Sequence, residues 1–192
     1  MSKIQDSVRV MLEELGVDSD DENFKETPER YERAIKEFIW PKEKREKELD
    51  KIFKKVFKDE YNEVVVCGPI YSTTLCPHHL VPVKLKTIIG YLPNGVCIGA
   101  SKLVRLVDIC SHDLILQEKL TRVIADTLMK RLELKGCAVT VTGSHDCMTT
   151  RGVKQEKVVF RNRALRGVFL EDTPIRMEFL FDSLFTMMEG KM

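Results

Sequence analysis

Long apolar runs, an excess of charge of either sign and abundant histidine are all missing from this chain. No stretch approaches the roughly 18 apolar residues needed to cross a bilayer. The opening Met1-Ser2-Lys3-Ile4-Gln5-Asp6 lacks the apolar run of a secretion signal. Neither a membrane span nor export is therefore expected, and the protein is read as cytoplasmic. Lysine and arginine number 31 against 30 acidic residues, leaving a net charge of +1. That balance offers no global attraction for nucleic acid or an anionic membrane, so any anionic ligand must be met by a local cluster.

What is present suits a globular protein. Hydrophobic residues make up 43% and charged residues 32% of 192 positions, enough to bury a core in one domain with an appendage. The six cysteines, at 67, 76, 97, 110, 137 and 147, are dispersed through the chain. At this size and without an export signal they are expected as reduced thiols, two of them on a metal, rather than as a disulfide framework.

Histidine is scarce, with four in all, yet three of them lie in two short clusters that also contain cysteine. These are Cys76-Pro77-His78-His79 and, far downstream, His145-Asp146-Cys147. A lone Cys-x-x-His pair is most simply a small buried hydrophobe beside a surface imidazole. Two such clusters together supply two thiolates and an imidazole, the donor set that holds Zn²⁺ while leaving a fourth tetrahedral position for water. Imidazoles remain beside these donors, and a histidine is the side chain type whose unperturbed charge change near neutrality suits acid/base work on an activated water.

The pattern along the chain divides it at about residue 60. Ile4, Val8, Met11, Leu12 and Leu15 form the stripe of an amphipathic helix that stops at Gly16. Thr27 is a natural N-cap with Pro28 behind it, and Tyr31, Ala34, Ile35, Phe38 and Ile39 line one face of a second helix. Residues 42–60 interleave both signs of charge around Leu49, Ile52, Phe53, Val56 and Phe57, a solvated helix rather than a nucleic-acid patch. Residues 1–60 are thus read as a helical N-terminal arm and 61–192 as the catalytic domain. In the latter, strands are expected over Glu63–Tyr71 and Val83–Tyr91, and helices from Ser101 and from an Asp113 cap. A strand from Cys137 carries His145 and Cys147 at its far end. A strand over 158–169 and a helix over 174–187 follow. This order predicts an antiparallel α+β sheet with helices on one face, whose open edges would want neighbours.

Five blocks follow in order: Cys76-x-His78-His79-Leu80-Val81-Pro82, Ile89-Gly90-Tyr91-Leu92-Pro93-Asn94, Gly99-x-Ser101-Lys102-Leu103-x-Arg105, Gln117-Glu118-x-Leu120-Thr121 and His145-x-Cys147-Met148-x-x-Arg151-Gly152. Together they resemble GTP cyclohydrolase I, a family of the tunnelling fold. The likeness extends upstream to Glu26-Thr27-Pro28-x-Arg30 and downstream to Gly167-Val168-Phe169. It implies a four-stranded antiparallel sheet with two helices on one face, preceded by the helical arm. It also implies that sheets close edge to edge into a barrel and that the protein is a homodecamer with active sites at subunit boundaries.

The same resemblance implies roles. Cys76, His79 and Cys147 would bind zinc, with His78 and His145 beside the reacting purine of GTP. Glu118, helped by Gln117, would read the guanine edge, because a carboxylate can accept from both the ring N–H and the exocyclic amine. Ser101, Lys102, Arg105 and Arg151 would hold the triphosphate, with Arg30 reaching in from another subunit. The reaction implied is hydrolysis at purine C8, release of formate and rearrangement to 7,8-dihydroneopterin triphosphate, the first step of folate or tetrahydropterin biosynthesis. The chain departs from the family pattern at Pro77, at Ser111-His112-Asp113 and at Asp146. These departures keep two other readings open: a tunnelling-fold relative acting on another purine or pterin, and a non-catalytic zinc- and guanine-nucleotide-binding subunit.

Overall fold

The computed structural model describes residues 2–189. The chain forms two compact units, Met1–Trp40 and Pro41–Met192. Among the described residues no helix is long and apolar enough to cross a membrane.

In the first unit, α1 (Lys3–Glu14) and α2 (Thr27–Phe38) pack on one another. Ser2 caps α1 by accepting from the Gln5 amide at 3.3 Å. Gln5 Nε2 and Lys36 Nζ both bond the Glu32 carboxylate at 2.6 Å. Lys36 above all, with these other donors, holds the Glu32 carboxyl below its ordinary range. Thr27 is the first helical residue and not the cap expected for it. Glu26 occupies the cap position without a side-chain cap bond, and its carboxylate instead pairs with Arg30 at 2.6 Å.

The second unit runs α3 (Lys42–Phe53), β1 (Phe57–Lys58), β2 (Val65–Leu75), β3 (Pro82–Leu92), β4 (Val96–Cys97), α4 (Ala100–Ser111), α5 (Gln117–Arg131), β5 (Gly136–His145), α6 (Asp146–Thr149), β6 (Phe160–Gly167), α7 (Val168–Glu171) and α8 (Thr173–Glu189). Strands β1 and β4 make a small ribbon, and the main sheet has the order β2-β3-β5-β6, antiparallel throughout. Helix α3, read from the sequence as part of the arm, packs against α4. It also offers Glu46 and Asp50 to Arg131 of α5 at 3.0 and 2.5 Å.

Alternation along β3 sends its side chains to two different layers. On one face Ser72, opposite Leu85, accepts from the Ser111 hydroxyl at the end of α4 at 2.9 Å. Gly143, also opposite Leu85, faces Gln117 of α5. Helices α4 and α5 therefore cover this face. Ile88, Gly90 and Leu92 point the other way, where Ile88, Leu92 and Ala138 form a core with Phe169 and Phe179. The terminal helix α8 thus lies on the opposite face, which the expectation of helices on one face did not include. The apolar stripe of α8 has the residues to fill that side, and burying Phe179 decides it.

Gly90 is required by this packing, since a Cβ there would fall on the Phe179 ring. Phe179 is fully buried and meets Phe169 edge to face at 6.0 Å. Gly90→Ala is expected to destabilise by about 1–3 kcal/mol through overpacking. The check is a lower urea midpoint at unchanged slope; an unmoved midpoint would show that α8 does not seat here.

Asp113, expected to cap α5, pairs instead with Arg45 of α3 at 2.9 Å. Helix α5 consequently starts at Gln117, after Leu116, with no side-chain cap bond. The last strand is also shorter than expected: β6 ends at Gly167, and Val168–Glu171 turn into α7.

Candidate metal centre

Strand β2 delivers Cys76 directly into a tight loop. Cys76 N donates to Val81 O at 2.9 Å, while the amides of His79 and Leu80 turn back to Cys76 O at 3.3 and 2.8 Å. Leu80 takes a positive φ of 54° to close it. The loop sets both histidine rings around one sulfur, with Nδ1 of His78 at 4.0 Å and Nδ1 of His79 at 3.8 Å from Cys76 Sγ.

The third group arrives by strand pairing. Val83, just after the loop, lies opposite His145 at the end of β5, and the chain then turns into the single-turn helix α6 that carries Cys147. Ligand atoms of Cys76, His79 and Cys147 all lie within 4.8 Å of one another. Around a tetrahedral zinc with bonds of about 2.0–2.3 Å, neighbouring donors stand roughly 3.5–3.8 Å apart. The Cys76–His79 separation is already of this size. All six cysteines are free thiols.

Burial, and then contact with Cys76, push the Cys147 thiol above its ordinary value, with Arg151 opposing. A cation shared by the two sulfurs reverses that balance, because a coordinated thiol ionises outright. The donor set therefore fits a borderline-soft metal ion.

A cavity of about 200 Å³ opens beside the cluster. Leu75, Val83, Ile115, Met148 and Phe160 give it apolar walls, and His78, Gln117, Glu118 and His145 supply the polar groups. Pro77, one of the departures from the family pattern, also lines it. Asp146, another, lies 3.7 Å from Lys84 Nζ. Burial lowers the His145 imidazole below its ordinary value, and the Glu118 charge works against it. Glu118 is exposed in the first turn of α5, whereas Gln117 beside it is 6% exposed.

The structure gathers Cys76, His78, His79, Gln117, Glu118, His145 and Cys147 into one region. The expected triphosphate residues Ser101, Lys102, Arg105 and Arg151 line no part of this cavity, although Arg151 lies near enough to act on the Cys147 thiol. Ser101, Lys102 and Arg105 sit on the first turns of α4. Arg30 belongs to the first unit, where it pairs with Glu26. Phe160 and Gly143 were not singled out from the sequence. Phe160 places its ring edge-on to His145 at 5.6 Å, and no local signal announced it. For Gly143 a signal existed that went unused, since a lone glycine in a strand marks a close approach.

Fold and site together define an α+β protein with three donors that could hold a metal ion beside a mixed pocket, an arrangement suited to a metal-dependent hydrolase. The family model for GTP cyclohydrolase I matches residues 4–183. GTP cyclohydrolase 1 of Aquifex aeolicus (strain VF5) is 43% identical over 180 residues, covering 93% of this chain and 94% of its own. The Clostridium kluyveri enzyme of the same name is 39% identical over 88% of this chain and 89% of its own. That of Coxiella burnetii (strain Dugway 5J108-111) is 37% identical over 92% and 95%. This chain belongs to the GTP cyclohydrolase I family.

Proposed function

We infer that this protein is a zinc-dependent hydrolase that opens GTP at purine C8, releases formate and yields 7,8-dihydroneopterin triphosphate. The observation that carries the reading is the convergence of Cys76, His79 and Cys147 within 4.8 Å, beside a pocket holding two further histidines and a carboxylate. Zinc bound there supplies a Lewis acid that makes water a nucleophile near pH 7. The cavity is smaller than the ~300–1,000 Å³ that encloses a drug-sized ligand, so it takes the flat base and leaves the phosphates outside.

Each side chain then has work to do. Glu118 accepts from the guanine ring N–H and exocyclic amine, two donors that adenine does not present together. His145 passes a proton to the imidazole-ring nitrogen of the purine, making C8 more electrophilic, and His78 stands by the same ring. Two hydrolytic steps consume two waters: the first opens the ring to a formamide and the second frees formate. Closure of the rearranged ribose on the freed amine returns one water, so the balance is GTP plus one water. Ser101, Lys102, Arg105 and Arg151, with Arg30 from another subunit, hold the triphosphate where subunits meet and position the substrate.

That arrangement rests on assembly as a tunnelling-fold homodecamer in which the β2 and β6 edges pair between copies to close a barrel. Residues 1–60 then serve as the arm and 61–192 as the catalytic body of a cytoplasmic enzyme.

Incubation with GTP tests the reading. Formate and, after oxidation, pterin fluorescence are expected, lost on chelation and restored by zinc. Metal and nucleotide bound without formate would mark a non-catalytic subunit, and turnover of another purine or pterin alone would mark a relative with a different substrate.

A further inference from the structure

We propose that Gln117 is a positioning residue that fixes the orientation and tautomer of the His145 ring, with a hydrogen on Nε2 bonded to the Gln117 amide oxygen and Nδ1 left as the nitrogen that this bond does not occupy. This rests on the reading of His145 as the group that serves the purine. It replaces the guanine contact that the family resemblance suggested for Gln117.

Gln117 Nε2 donates to the backbone carbonyls of Val141 at 3.2 Å and Phe160 at 3.1 Å. A carbonyl oxygen accepts and never donates, so the amide nitrogen must face these two groups. Rotating the amide by half a turn would press its oxygen against both carbonyl oxygens. Its orientation is therefore set by the sheet, through two neighbouring strands at once.

With the nitrogen so occupied, Oε1 faces His145 Nε2 at 2.9 Å. An amide oxygen can only accept, so Nε2 must carry a hydrogen. This holds whether the ring is neutral or charged, because the cation bears a hydrogen on both nitrogens.

Four further features keep the device in place. Gln117 is 6% exposed, which leaves little room for water to substitute for its oxygen. Its own backbone carbonyl accepts from Thr121 Oγ1 at 2.8 Å. Gly143 provides the space, since a Cβ there would overlap Gln117 Oε1. The ring of Phe160, whose carbonyl anchors the amide, packs edge-on against the imidazole at 5.6 Å. Both donors of Gln117 are thus spent inside the protein, which is a poor arrangement for reading a base and a good one for fixing a tautomer.

The test is ¹⁵N-histidine magic-angle-spinning spectroscopy of the zinc-loaded full chain, which has four histidines to resolve. His145 is assigned by its loss in His145→Gln. The parent is expected to show the His145 Nε2 signal in the protonated range and Nδ1 in the unprotonated range at neutral ring charge. Gln117→Ala and Gly143→Ala should both redistribute the proton between the two nitrogens. For each, kcat for formate release should fall about 10- to 100-fold, as when a partner that orients a functional histidine is lost, while KM for GTP stays within about twofold. A parent ring protonated on Nδ1 alone overturns the proposal without any variant, even if both variants fold poorly. So does a raised KM with unchanged kcat in Gln117→Ala, the signature of a base contact. The parent spectrum needs no turnover, so a protein that releases no formate would refute the functional reading while leaving the tautomer decided.

Discussion

Cys147→Ala is expected to strip the metal and to lower formate release from GTP by more than about 100-fold. Losing only an outer partner of a metal ligand costs 10–100-fold, and here a donor itself is removed. Two donors remain on the Cys76 loop, too few to keep a borderline-soft ion in competition with water. Cys147 is the better choice of the two thiols, because Cys76 is 3% exposed and its loss would open a cavity in the core. Cys147 lies only partly buried on the short α6. The sheet and its two layers pack without it, so the thermal midpoint should move little. Metal content by elemental analysis and formate release should therefore fall together in a folded protein. Full metal content with full turnover would remove Cys147 from the site and the metal reading with it.

His145→Gln should keep the metal and lose about 10²- to 10⁴-fold in kcat, the usual contribution of a positioned acid or base. Glutamine is the sharper replacement. Its amide can still donate to Gln117 Oε1, so the partner is not left unsatisfied in a buried site, but it cannot transfer a proton at neutral pH. The three candidate donors, Cys76, His79 and Cys147, are untouched by the change. Zinc bound with formate absent would separate the role of His145 from that of the metal cluster. Formate released at the parent rate would show that the proton comes from elsewhere, with His78 the next group to change.

Much of this site could be read from the sequence because its signals are local. Cys76 and His79 are three residues apart, and one tight turn suffices to place both donors on one side. The stripe of α1 and the alternation of β5 follow from the periodicities of helix and strand. Other features were beyond such a reading. Asp113 looks like a helix cap until Arg45, from a helix many residues earlier, competes for its carboxylate at 2.9 Å. Thr27 has cap chemistry, yet the backbone enters α2 one residue sooner. Phe160 carried no mark of the pocket, because only the pairing of β6 with β5, Phe160 opposite Gly143, brings it there. Gln117 and Glu118 are adjacent polar residues at a helix start, and nothing local tells which is buried.

By itself the sequence determined which residues offer the candidate donors, the order of the four main strands and the longer helices, and the family to which the chain belongs, but not the short β1, β4, α6 and α7. These depend on residue type and near-neighbour spacing, which the chain carries wherever it goes. Only the tertiary structure decided that Val83 pairs with His145, that α8 covers the second face of the sheet, and that Gln117 is locked between two strands and an imidazole. Those outcomes depend on strand register and on whether a single Cβ has room, and both are settled only when segments distant in the chain compete for the same close-packed space.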